Sequence, residues 1–137
     1  MRDPHEIAYL VDRFMRRISA NLHKKALEID TDRIGPFGGM IILTLSDIEP
    51  TPMHKLVEQM GRDKSQMTRA IRSLEDKGMI ERRKCSEDGR VSMLQLTKKG
   101  RLFVTQIKKV LSQVIDEILA PASANERRNL IEVLRKI

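Results

Sequence analysis

The sequence has few aromatic residues and almost no cysteine. Its 137 residues include one Tyr, three Phe and no Trp, so the core must be aliphatic, with eight Met as adaptable filler. Cys85 is the single cysteine, which excludes an intrachain disulfide and fits a reducing compartment. No apolar run is long enough to span a membrane, and none follows the N-terminus as in a signal peptide. We therefore expect a cytoplasmic protein with no membrane partner.

The motifs of common enzyme and cofactor sites are also missing. The sequence contains no Gly-rich phosphate loop, no nucleophile–base motif and no cluster of metal ligands. His54 and Glu58 lie one helical turn apart, but two ligands are too few for a metal site. Cys85 follows Lys84, and a neighbouring cation favours the reactive thiolate, so a redox role is an alternative to an ordinary exposed thiol. We expect no enzymatic activity, no cofactor and no metal.

The positive charge of the chain is concentrated in one segment. The formal net charge is +7, and residues 62–101 hold 12 Lys and Arg against 6 Asp and Glu. The rest of the chain holds 14 against 13 and is nearly neutral. By itself a cationic stretch is also typical of a solvated helix face. Its localisation nevertheless indicates a surface that binds a polyanion such as double-stranded DNA.

Hydrophobic periodicity and capping residues predict a mainly α fold with a small β-hairpin. Helices are predicted over about 4–30, 35–46, 51–60, 63–77, 97–120 and 123–137. Thr51 before Pro52, and the capping boxes Asp63-x-x-Gln66 and Ser123-x-x-Glu126, mark the predicted starts of the third, fourth and sixth helices. After Gly78 the apolar period becomes two, which predicts strands over 79–84 and 91–96 joined by a turn containing Asp88-Gly89.

This order of elements is that of a winged helix-turn-helix. A short helix, a turn with Gly61 and a longer helix form the helix-turn-helix, and the hairpin forms the wing. We expect a single domain over residues 1–137. Its DNA-binding lobe would cover about 33–97, and the helices over about 4–30 and 98–137 would serve dimerisation.

The helix over 63–77 is predicted to enter the major groove of DNA. Met67, Ala70, Ile71 and Leu74 form its apolar stripe and are expected to face the core. The opposite face carries polar and cationic side chains that suit base edges and phosphates. The candidate DNA-binding residues of this helix are Lys64, Ser65, Gln66, Thr68, Arg69 and Arg72.

The hairpin supplies a second candidate contact with DNA. Arg82, Arg83 and Lys84 on one strand, with Arg90 beyond the turn, give it a dense positive charge. A narrow minor groove has an enhanced negative potential that attracts an inserted arginine. We expect Arg83 and Arg90 to bind DNA, and Asp88 to hold the Arg90 guanidinium through a charge-assisted hydrogen bond.

Three runs of this segment carry a family resemblance. They are LEDKGMIERR over residues 74–83, Asp88-Gly89-Arg90, and LTKKG over residues 96–100. In content and spacing they resemble the LExxGLIxR…DxR…LTxxG pattern of the MarR family of bacterial transcriptional regulators. The resemblance implies a dimer with interlocked terminal helices that represses nearby genes until a small-molecule effector or oxidation releases it.

By position, the resemblance also implies roles for individual residues. Arg90 matches the arginine at the tip of the wing and Asp88 its partner. The matches to recognition-helix contacts are Ser65, Gln66, Thr68, Arg69 and Arg72.

A homodimer is also expected from the apolar residues of the terminal helices. These helices carry more apolar surface than one small lobe can cover, and the last stripe runs to Ile137. A twofold dimer would read a pseudo-palindromic operator. Two alternatives are a winged-helix module for protein–protein interaction and a nonspecific architectural DNA binder. The first would show apolar anchors rather than the exposed arginines Arg69, Arg72 and Arg90.

Overall fold

The structure is a computed structural model that describes residues 3–84 and 92–137. These residues form six helices and three strands, close to the predicted ranges. In chain order the elements are α1 (Pro4–Ala26), α2 (Gly35–Ile48), β1 (Thr51–Pro52), α3 (Met53–Met60), α4 (Lys64–Asp76), β2 (Ile80–Lys84), β3 (Ser92–Leu96), α5 (Lys98–Ile118) and α6 (Ala124–Lys136). The predictions for Cys85, Asp88 and Arg90 lie outside the described residues.

The chain divides into two compact units, and Ala26–Lys108 is the larger one. Its core is aliphatic, as the composition predicts, and lies where α2, α3 and α4 meet the sheet. The largest fully buried side chains of this unit are Ile41, Ile42, Leu45, Leu56, Met67, Ile71, Met79, Leu94 and Leu96. This core fixes α4 against the sheet, which positions the predicted DNA-binding helix.

The second unit combines Met1–Lys25 with Lys109–Ile137. Neither α1 nor α6 buries a single residue of its own, although both carry apolar stripes. The α5 segment of this unit buries Val110, Val114 and Ile118. Among all the described residues, no helix has both the length and the hydropathy of a membrane span.

The start of α6 confirms a capping box predicted from the sequence. The Ser123 hydroxyl accepts a hydrogen bond from the Glu126 N–H at 3.1 Å, and the Glu126 carboxylate accepts one from the Ser123 N–H at 2.9 Å. These bonds stabilise the ionised carboxylate and lower the pKa of Glu126. Arg127 then ties α6 to α5 through Asp116 at 2.9 Å and the Leu119 carbonyl at 3.0 Å.

The sheet contains one strand that the sequence did not predict. The strand order is β1-β3-β2, and both neighbours of β3 are antiparallel to it. We predicted Thr51 as the cap of the third helix and Pro52 as its first residue. That prediction is wrong: Thr51 is buried in β1 opposite Leu94, and the helix begins at Met53. The pairing with β3 joins residues far apart in the chain, so local periodicity does not report it.

A tight joint connects α4, β2 and the start of α5. Gly78 has a φ of +77°, its N–H donates to the Glu75 carbonyl at 3.0 Å, and the Met79 N–H donates to Leu74 at 2.9 Å. This is a Schellman ending, which favours glycine because of the left-handed backbone. Thr97 then links the joint to α5.

Thr97 makes hydrogen bonds on both sides of that link. Its N–H donates to the Met79 carbonyl at 3.0 Å, its hydroxyl lies 2.5 Å from the Gly78 carbonyl, and the same oxygen accepts from the Gly100 N–H at 3.0 Å. A Cβ built on Gly100 would overlap the Met79 carbonyl oxygen. The glycine is therefore required for the close approach of α5 to the joint.

We predict that Gly100→Ala destabilises the protein by about 1–3 kcal/mol, the usual cost of forcing extra atoms into a packed site. Gly39→Ala is the matched control, since a Cβ there meets nothing within 4 Å, and alanine in a helix is more favourable than glycine by about 0.5–1 kcal/mol. Urea unfolding followed by circular dichroism measures both. Equal stabilities for the two variants would contradict the close-approach argument.

Candidate nucleic-acid interface

The helix-turn-helix is formed by α3, residues 61–63 and α4. Gly61, with a φ of +63°, ends α3, and its N–H donates to the Val57 carbonyl at 3.1 Å. Asp63 is the N-cap of α4, and its carboxylate accepts a hydrogen bond from the Gln66 N–H at 3.1 Å. Both ends were predicted from these residues, so the turn is confirmed.

The face of α4 that packs on the lobe is the predicted one. Met67, Ile71 and Leu74 are buried, and Ala70 is half-buried. This face contacts α2 and β2. Since the apolar stripe faces inward, the residues about half a turn away are directed to solvent.

The six candidate residues of α4 lie on or beside that solvent face. Five are exposed, namely Lys64, Ser65, Gln66, Arg69 and Arg72. Thr68 is half-buried, and its hydroxyl donates to the Lys64 carbonyl at 2.8 Å. Thr68 therefore offers DNA an acceptor oxygen and a methyl group, while its proton is used within the helix.

The cations of this face have no carboxylate partner in the part of the chain that the structure describes. Among residues 3–84 and 92–137, no carboxylate lies within ion-pairing distance of Lys64, Arg69 or Arg72. Arg62 differs, because its guanidinium lies 5.4 Å from the centre of the Phe37 ring at the start of α2. An uncompensated cationic helix face is what a DNA phosphate backbone requires.

The wing strand β2 carries two kinds of arginine. Arg83 is exposed, and its register partner on β3 is Met93. Arg82 instead pairs with Glu75 of α4: its Nε lies 2.9 and 3.0 Å from the two carboxylate oxygens, and its Nη2 lies 2.9 Å from one of them. Because side chains alternate along a strand, Arg82 and Arg83 leave β2 on opposite faces.

Glu75 is a residue that the sequence reasoning missed. We counted Arg82 with the positive charge of the wing, whereas in the structure its charge is compensated by Glu75. A signal was present, because both residues belong to the LExxGLIxR pattern, in which we assigned no role to Glu75. Asp88, Arg90 and Cys85 are not described, so their roles stay predictions. Within the described residues, no group of His, Cys, Asp and Glu is arranged to hold a metal.

The chain is similar in sequence to known transcriptional regulators. The MarR family matches residues 39–92. The HTH-type transcriptional regulator YdgJ of Bacillus subtilis (strain 168) is 39% identical over 82 residues, which cover 60% of this chain. The aligned residues span only half the length of that relative.

Solved structures agree in fold over nearly the whole chain. Apo MarR from E. coli superposes with a TM-score of 0.79 at 18% identity, covering 99% of this chain and 97% of the other. The transcriptional repressor CouR bound to a 23-mer DNA duplex gives 0.80 at 19% identity, covering 94% and 89%. The predicted winged helix-turn-helix fold is confirmed, and the matching family model is that of the family whose pattern the sequence resembles.

The N-cap of α4 gives a prediction that separates hydrogen bonding from charge. Asp63→Ala should lower the free energy of unfolding by about 1 kcal/mol, since the Gln66 N–H loses its acceptor. Asp63→Asn keeps an acceptor and removes the negative charge, so we expect a smaller loss of stability. Thermal unfolding of both variants measures the difference, and an equal loss would mean that the carboxylate acts through its charge.

Proposed function

From the match of residues 39–92 to the MarR family and the winged helix-turn-helix that contains them, we propose that the chain is a sequence-specific DNA-binding transcriptional regulator. It binds a pseudo-palindromic operator as a homodimer and represses nearby genes until a small-molecule effector releases it. The repression and the effector follow from the family resemblance. The DNA binding has support in the lobe itself.

The proposal rests chiefly on the outward face of α4. This second helix of the helix-turn-helix presents hydrogen-bonding side chains next to Arg69 and Arg72, and its apolar residues are all turned to the core. The hydrogen-bonding groups suit base edges and the cations suit phosphates. Arg83 and Lys84 add exposed cations on the adjacent strand of the same lobe. CouR, which has this fold, was solved on a DNA duplex, and that supports the same use here.

The homodimer is supported by the second unit. Exposed fractions reach 66% for Ile7, 57% for Leu134 and 96% for Ile137, and no residue of α1 or α6 is fully buried within the chain. Apolar faces of this extent are typical of an interface. A second copy of the chain would cover them and set two recognition helices about 34 Å apart, one turn of DNA.

Arg69→Ala and Arg72→Ala should each weaken binding to a duplex enriched by the wild-type protein from a random pool. We expect about a tenfold loss per variant, because a good arginine–base contact contributes about 1–3 kcal/mol. If either arginine binds phosphate instead, the slope of log affinity against log salt falls by about one. Fluorescence anisotropy at several salt concentrations measures affinity and slope.

Arg128→Ala is the matched control for these variants. It removes the same charge from an exposed position on α6, in the other unit, and should leave affinity within about twofold. Equal wild-type affinity for enriched and random duplexes would favour the architectural alternative. Absence of binding even at low salt would favour the protein–protein alternative.

Leu134→Asp should convert the protein from a dimer to a monomer, since it places a charge in the apolar face of α6. Light scattering after size exclusion would then give the 15.8 kDa chain mass, against twice that mass for the wild type. Asn129→Asp, a charge added beside the stripe on the same helix, should leave the dimer intact. A monomeric wild type at micromolar concentration would refute the homodimer.

A further inference from the structure

The Glu75–Arg82 pair connects the recognition helix to the wing. Glu75 lies in the last turn of α4, and Arg82 is the third residue of β2. The guanidinium meets both carboxylate oxygens at 2.9 and 3.0 Å through Nε, and one of them also through Nη2 at 2.9 Å. Such a fork holds a fixed orientation as well as a distance.

Each partner has a buried leucine beside it that fixes its backbone in the lobe. Leu74, next to Glu75, is buried in the lobe, and Arg82 lies opposite Leu94, which is fully buried in the central strand. The side chains are 25% exposed for Glu75 and 38% for Arg82, so water screens this pair less than a fully exposed one. The same hydrogen bonds raise the pKa of Arg82 above its usual value.

The Schellman turn of Gly78 joins α4 to β2 through the backbone, and the Glu75 and Arg82 side chains connect the same two elements directly. The backbone turn fixes how β2 leaves α4. β1 pairs with β3 only at Leu94 and Met93, opposite Arg82 and Arg83, and the two-stranded part beyond these residues can still twist and bend about its base. A forked contact three residues into β2 restrains that motion. Across the pair, Arg69 and Arg72 lie on α4, while Arg83 lies on β2.

We propose that Glu75 and Arg82 are positioning residues for DNA binding, which hold the β2–β3 hairpin at a fixed angle to α4 so that the cations of both elements reach one duplex together. This inference rests on the proposed function. It also reverses the role that charge alone would give Arg82, because a paired arginine positions the wing rather than binding a phosphate itself.

The sign of one charge change tests the proposal. Glu75→Gln removes a negative charge from the DNA-binding lobe, so on Coulomb grounds alone it should strengthen binding to DNA. If the pair positions the hairpin, the same variant should weaken binding by about tenfold, as expected from losing hydrogen bonds between charged groups. Asp76→Asn is the matched control. Asp76 is the next acidic residue, is exposed, and makes no ion pair among the described residues.

Arg82→Lys separates positioning from phosphate binding. Lysine keeps the charge but not the planar fork, so a phosphate contact would survive the change and the fork with Glu75 would not. We expect Arg82→Lys to lose affinity about as much as Glu75→Gln. The double variant should lose little more than either single variant, because the two residues act as one unit.

Arg83→Ala gives a readout that a merely structural pair would not affect. Its cost in affinity should be smaller in the Glu75→Gln background than in the wild type, since a misplaced hairpin no longer delivers Arg83 to the duplex. Additive costs, with affinity lost only in proportion to the unfolded fraction seen by circular dichroism, would overturn the proposal. So would unchanged or stronger binding by a folded Glu75→Gln.

Hydrogen exchange in the DNA-free protein keeps this test separate from the proposed function. Glu75→Gln should increase the exchange rates of the β2–β3 amides several-fold, and Asp76→Asn should not. If the wild type binds neither enriched nor random duplex, the proposed function fails. The exchange rates then still decide whether the pair restrains the hairpin, and unchanged rates in Glu75→Gln would overturn that restraint.

Discussion

The joint at Met79 is the constraint on which the winged-helix lobe depends. The carbonyl of Met79 accepts a hydrogen bond from the Thr97 N–H, and it lies so close to Gly100 that no side chain fits there. The end of α4, the base of β2 and the first turn of α5 therefore meet at one backbone position. Because Leu74, Met79 and Leu96 are buried around it, the joint is also part of the core.

This joint explains why the most recognisable runs of the sequence are not the ones that we propose to face DNA. Leu74 packs in the core, and Gly78 forms the left-handed turn. Thr97 caps α5, and Gly100 allows the close approach to Met79. The side chains on the outward face of α4 precede them in the chain. The LExxGLIxR and LTxxG runs thus identify the frame of a winged helix rather than the side chains that we propose to contact DNA.

The positive charge of residues 62–101 is likewise divided between structure and surface. Arg82 pairs with Glu75, Arg101 lies 2.6 Å from Glu49, and Lys99 lies 3.2 Å from Asp32. The pair with Glu49 is notable because that carboxylate is only 16% exposed and also lies 3.4 Å from the Leu96 N–H. These three cations hold α2, α4 and α5 in the lobe. The count of charges in the sequence therefore exceeds the positive charge that is left unpaired by these three contacts.

The sequence by itself determined the helices, most of their ends and the inward face of α4. Those features depend on local causes: the apolar period, the caps at Asp63 and Ser123, and the left-handed glycines Gly61 and Gly78. Only the tertiary structure decided that Thr51 pairs with β3 and that the charge of Arg82 is compensated by Glu75. Both depend on contacts between separate elements, and the pattern of residues along one element does not identify the element that it contacts.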